Sequence, residues 1–319
     1  MPAAGRLAWV LVLCGLTAGL AVLRVLETPT LVEQSLAAAL AVTLALGLAV
    51  RSGAHVPLAL VLAVLIAVSA VAIEWPPLLA GAAVATGVLA ACLAVLGTRP
   101  APTLPAVVLE VLLALLVATA GALGVAGFAA EIDAERYDYM VLGLSLVATL
   151  ALVHRLGGGL HALGRGGLAL AVAAVLSLLV VLVYTAALTR YGSPELVGQV
   201  RTALGWTREH LGGVPHPAEV LVGIPALAWG VSLRSRRRQG WWACAFGTAA
   251  TAHVAGDLAG GGGTLRGIVL GVLYATVLGL LLGFALIGLE RLRTAKDRRH
   301  GRTPPVAPRA EPPRLHPLH

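Results

Sequence analysis

Charge is what this sequence lacks most. Only 12% of its 319 residues are Asp, Glu, Lys or Arg, where a soluble domain carries about 25%. Among 23 basic residues a single one, Lys296, is lysine. That bias, with heavy use of alanine, glycine and leucine, reads as a high-GC and hence bacterial genome and carries no mechanism. Cysteine is scarce too. Cys14, Cys92 and Cys244 each fall inside an apolar run with no CxxC pair, which excludes a disulfide framework and a cysteine zinc site. No GxSxG, HExxH, paired aspartate or Walker motif occurs, so the common hydrolase, protease and ATPase signatures are missing and no catalytic residue or cofactor is indicated. Nucleic-acid binding would need stacking aromatics on a folded platform, and none is offered.

What the chain has is hydrophobic length: 58% of it is apolar. A spanning helix takes about 20 mostly apolar residues. Ten runs qualify: 7–25, 31–50, 56–73, 78–97, 104–128, 139–155, 168–189, 217–233, 241–256 and 267–289. The fold class this predicts is all-α, a polytopic transmembrane helix bundle of about ten spans over residues 1–290. The MPAAGR start lacks a small-x-small cleavage site downstream and reads as an uncleaved first helix.

Charge placement orients the bundle, because cytoplasmic loops concentrate Arg and Lys. With ten crossings and a cytoplasmic N-terminus, Arg6, Arg51, Arg99, Arg155, Arg165 and the basic tail all lie inside. Carboxylates Glu131, Asp133, Glu135 and Asp138 crowd one outer loop. Both termini are then cytoplasmic and the chain is a multi-pass protein of the cell membrane. The stretch LRSRRRQGWW becomes an inner loop. Arg234, Arg236, Arg237 and Arg238 serve there as membrane-interface anchors beside the belt tryptophans Trp241 and Trp242. Such a loop, and the tail, would contact anionic lipid, each arginine gaining about 1 kcal/mol near the surface.

Two segments lie outside the spans. Residues 291–319, rich in Arg and Pro, have too little apolar surface to fold and read as a disordered cytoplasmic tail. Residues 193–212 predict an extracytoplasmic amphipathic helix, with Ser193 as N-cap and Pro194 in the first turn. Leu196, Val197, Val200, Ala203, Leu204, Thr207 and Leu211 share one face.

Candidate site residues are the polar groups within spans, since a charge at mid-bilayer costs about 2.5–3.5 kcal/mol on insertion scales. Glu110 is the deepest carboxylate and is expected to turn into the bundle. Glu219 lies a turn from the outer end of its span. His253 and Asp257 sit four apart on one helical face, a spacing that suits a metal pair or a proton relay. Glycines 267, 271, 279 and 283 space the last span for close packing, within the chain or as a seam with a second copy or another membrane partner.

Ten short spans with both ends inside is similar in outline to the drug/metabolite transporter superfamily, in helix count and topology. That resemblance implies two inverted five-helix halves and a transport function. Pro225 and the 193–212 helix find no counterpart in the first half. A transporter-like or permease-like bundle is one reading and a non-catalytic scaffold or accessory subunit the other, with a membrane enzyme acting on a lipid-linked substrate third. A polar cavity lined by Glu110, Tyr184 and Tyr274 would favour transport.

Overall fold

The computed structural model describes residues 3–26, 30–131, 133–155, scattered positions between 172 and 183, 194–259, 265–299 and 311–318. Among them the chain is helical with no strand. The helices are α1 (Ala3–Leu26), α2 (Thr30–Ser52), α3 (Val56–Ile73), α4 (Pro76–Leu96), α5 (Leu104–Gly127), α6 (Ala134–Arg155) and α7 (Pro194–Leu211). A π-helical turn, Glu219–Gly223, then leads into α8 (Ile224–Arg234), α9 (Gly240–Ala245), α10 (Thr248–Ala259) and α11 (Leu265–Arg299).

Prolines set several starts. Helices α3, α4 and α5 carry Pro in the first turn, where the missing N–H costs no intrahelical bond. The EWPP turn between α3 and α4 closes through Glu74 at φ 50°, with the Leu78 amide donating to the Trp75 carbonyl at 2.9 Å.

Among the described residues, seven helices, α1 to α6 and α11, are long and apolar enough to cross a membrane, which is compatible with an integral membrane protein. The expected count of about ten is not confirmed. Residues 168–189 lie largely outside the described residues. The eighth run divides into the π turn and α8, and the ninth into α9 and α10 around a turn at Phe246–Gly247. Pro225 explains the first break, because its ring collides with the carbonyl four residues back and that turn widens to π geometry.

Alanine and glycine let the inner helices touch. Helix α4 lies along α5, and α10 packs against α4, α5 and α6. A Cβ on Gly121 would stand 2.0 Å from that of Ala90, so α4 and α5 meet at backbone distance. The glycine face of α11 is taken up inside the chain, with added Cβ atoms at Gly279 and Gly283 lying 2.6 Å from Ile224 and 2.8 Å from Ala228. At the periphery, α3 turns Leu58, Val61, Leu62, Leu65 and Val68 outward, a surface suited to hydrocarbon rather than water.

The tail departs from the disordered segment expected over 291–319. Helix α11 runs on to Arg299, where Glu290 pairs with Arg236 at 3.3 Å and Arg291 donates to the Pro102 carbonyl at 3.4 Å. Residues 311–318 fold back onto the bundle with Leu315 buried. Charge rather than apolar area anchors this peptide, which is why hydropathy overlooked it. Helix α7 falls within the expected amphipathic segment. The Tyr274 hydroxyl donates to the Leu211 carbonyl at 2.8 Å and ties its end to α11. The side chains of Leu196, Val197, Val200, Ala203 and Leu204 lie outside the described residues.

Candidate functional site

Three side chains meet near one end of the bundle. Asp138 comes from the first turns of α6, His216 from the segment entering the π turn, and His253 from α10. One donor atom from each lies within 4.8 Å of the others. The two imidazoles stack with centroids 4.3 Å apart and planes at 20°. His253 is 4% exposed, and neither of its ring nitrogens has a hydrogen-bond partner, nor has Nδ1 of His216. Leaving a buried polar group unsatisfied costs about 1–3 kcal/mol.

Local geometry holds the cluster together. The Glu219 and Val220 amides both donate to the His216 carbonyl at 3.1 Å, fixing His216 at the head of the π turn. The π turn and α10 touch below it, since a Cβ on Gly223 would lie 2.3 Å from the Ala250 nitrogen. That contact sets where His253, one turn beyond Ala250, faces His216. Glu219 is buried at the start of the π turn. The Asp257 side chain lies outside the described residues.

Two imidazoles and a carboxylate are ligands for a borderline divalent ion such as Zn²⁺. Zn–N bonds of about 2.0–2.1 Å keep two ligand atoms on one ion within about 4.2 Å of each other. The 4.8 Å that bounds the three donors is close to that span. Near-parallel rings aim their in-plane lone pairs side by side, so loading requires one imidazole to rotate out of the stack.

The opposite end is built differently. At the C-termini of α2, α4 and α8, Arg51 and Arg234 are both fully buried and converge on Thr98. Arg51 donates to the Leu96 carbonyl at 2.7 Å and the Thr98 carbonyl at 3.3 Å. Arg234 donates to the Thr98 hydroxyl at 2.7 Å and its carbonyl at 3.1 Å, and its guanidinium lies 3.3 Å over the Trp241 ring. The folded-back peptide completes the network, with Glu311 pairing with Arg234 and Arg314 bonding Glu110 through both nitrogens at 2.6 and 2.8 Å.

This network corrects two expectations. Arg234 and Trp241 are not interface anchors but a buried stacked pair. Arg234 is the last residue of α8 and its side chain turns inward to the carbonyl end of α4, so the arginine run divides there. Arg236 is half-buried, Arg237 and Arg238 exposed, and Trp242 half-buried. Glu110 turns into the bundle, but it is not an isolated deep carboxylate, because the Arg99 amide at 2.8 Å also bonds it. Tyr274 lies at the other end, bonded to the Leu211 carbonyl, and Tyr184 is outside the described residues.

Sequence reasoning selected His253 and missed His216 and Asp138. Their signal was present but diluted, as one histidine in GGVPHPAEV and one acid of an acidic outer loop. Comparison with known protein families, with curated proteins and with solved structures finds no match to this chain.

Proposed function

We propose that the chain is a transporter-like protein of the cell membrane that handles a divalent transition-metal ion, bound by Asp138, His216 and His253 at the extracytoplasmic end. The single observation that carries this is buried His253, with both ring nitrogens unbonded beside a second histidine and a carboxylate. Three protein ligands leave an open coordination position, which suits an ion that must leave again. A scaffold needs no such cluster. The charge distribution supports ten crossings with both termini cytoplasmic, the interrupted eighth and ninth runs included. Anionic lipid then covers the inner surface at Arg237 and Arg238.

The test is a zinc titration of the full-length protein in nanodiscs, followed by thermal unfolding. Free zinc at 100 times its Kd should add about 2.7 kcal/mol of stability, and the gain should vanish in His253→Leu. No shift at any zinc concentration would sink the metal reading. Proteoliposomes loaded with a zinc-sensitive dye then separate the classes. Zinc entry that depends on His253 supports transport, whereas binding without entry leaves a metal-holding accessory subunit.

A further inference from the structure

The inner network contains a second site, and something already occupies it. Arg51 and Arg234 are 0% exposed; Arg234 meets the Glu311 carboxylate, supplied by the chain itself, and Arg51 meets backbone carbonyls of the same peptide. Three features make this a built site rather than a chance ion pair. Arg234 is held from behind by the Thr98 hydroxyl and carbonyl and from below by the Trp241 ring. Arg51 is held by the carbonyls of Leu96 and Thr98. None of those contacts involves residues 311–318, so both guanidiniums keep these anchors when the peptide leaves, and each then has a donor facing the space it vacated.

The peptide itself is weakly committed. Its one fully buried apolar side chain is Leu315, with Leu318 half-buried against the core, and its polar contacts are ion pairs, the Arg314 bond to the Gly97 carbonyl at 3.1 Å and bonds from Arg51 to the carbonyls of Pro313 at 2.9 Å and His316 at 3.3 Å. Buried ion pairs roughly break even against the water they replace. The peptide belongs to the same chain as the site, and an intramolecular occupant of this kind acts at an effective concentration of about millimolar. A free carboxylate at similar concentration therefore competes. Departure of the peptide also withdraws Arg314 from Glu110 and Leu315 from the mouth of a cavity of about 500 Å³ between α1, α4 and α5.

We propose that Arg51, Arg234 and Thr98 form a binding site for small carboxylates, and that residues 311–318 are its tethered, exchangeable occupant, closing this end of the bundle until a free carboxylate displaces Glu311. The inference is independent of the metal reading, since the sites lie at opposite ends and the assays below contain no metal.

Full-length protein carrying Leu315→Cys, held in nanodiscs, reports the docked state through maleimide labelling, read by mass spectrometry on the C-terminal peptide so that exposed Cys14 does not interfere. Labelling should be slow in sodium chloride and at least about fivefold faster in sodium succinate of equal ionic strength. Because the cysteine itself weakens docking, succinate binding is also measured by equilibrium dialysis on chains with native Leu315. Glu311→Gln should bind succinate about tenfold more tightly than the natural chain, since the competent state is no longer occupied in cis. Equal labelling in the two salts would show a permanent structural seal and overturn the proposal. So would an unchanged succinate affinity, or no binding, in Glu311→Gln.

Discussion

The two ends of this bundle treat buried polarity in opposite ways. Around Thr98, the guanidiniums of Arg51 and Arg234 are answered by carbonyls, a hydroxyl, an aromatic face and a carboxylate brought from the far end of the chain. Around His253, two imidazoles face each other with three ring nitrogens unbonded. A satisfied network stabilises and specifies, whereas an unsatisfied one is tolerated where a ligand completes it. The contrast separates polarity answered from within the chain from polarity left open, without any knowledge of substrate, and it can be attacked from either side.

The largest effect is expected at the satisfied end. Arg234→Met should cost about 3–5 kcal/mol, because it strips one partner from a buried pair and leaves Glu311 and Thr98 uncompensated. Adding Glu311→Leu should recover much of that loss, since paired apolar replacements of buried ions are often neutral. Thermal unfolding of both variants in one detergent measures this. A single variant as stable as the natural chain would mean that the network contributes nothing.

Between the ends, Gly223→Ala places a methyl group 2.3 Å from the Ala250 nitrogen. Backbone cannot swing aside as a flexible side chain does, so the π turn and α10 must separate, at about 1–3 kcal/mol. The separation also displaces His253 from His216. Zinc affinity should therefore fall along with stability, and a variant that loses stability alone would show that this helix contact does not position the cluster.

Which parts were legible in the sequence follows from the range of the forces involved. Helices α1 to α6 and α11 follow from runs of apolar residues, a local property that needs no partner. The π turn within the eighth run and the turn at Gly247 are local as well, yet hydropathy averages over both, so a widened helix and an interrupted one read as uniform spans. Both sites are non-local. His216 and Asp138 carry no mark of their own until folding sets them beside His253. Arg234 belongs by composition to a basic interface loop, and only the direction of its side chain toward Thr98 removes it from that loop. The 311–318 peptide is held by Arg51, Arg234 and Glu110, none of which is near it in sequence, while its proline content argues for an unfolded tail.

A smaller loss is expected for Glu110→Gln. The bidentate pair with Arg314 is broken, but that arginine side chain is 36% exposed and water replaces part of what is lost. The Arg99 amide still finds an acceptor in the glutamine carbonyl. The cost should be about 1 kcal/mol, and hydrogen exchange at Leu315 and His316 should accelerate as the peptide loosens. Unchanged exchange would assign the docking to Glu311 and Arg51 alone.

The smallest change in stability, and the sharpest test of the contrast, is His253→Leu measured without metal. An imidazole with both nitrogens unbonded in an apolar setting carries a desolvation cost that no interaction returns, and leucine of similar size fills the same space without it. Replacing an unsatisfied polar group by an apolar one of the same shape is near neutral or stabilising, so unfolding should shift by no more than about 1 kcal/mol, upward. A functional histidine is thereby distinguished from a structural one, because a histidine that bonded its neighbours would destabilise the fold on removal. A loss of 2 kcal/mol or more would place His253 with Arg234 among the groups that hold the bundle together, and the difference between the two ends would disappear.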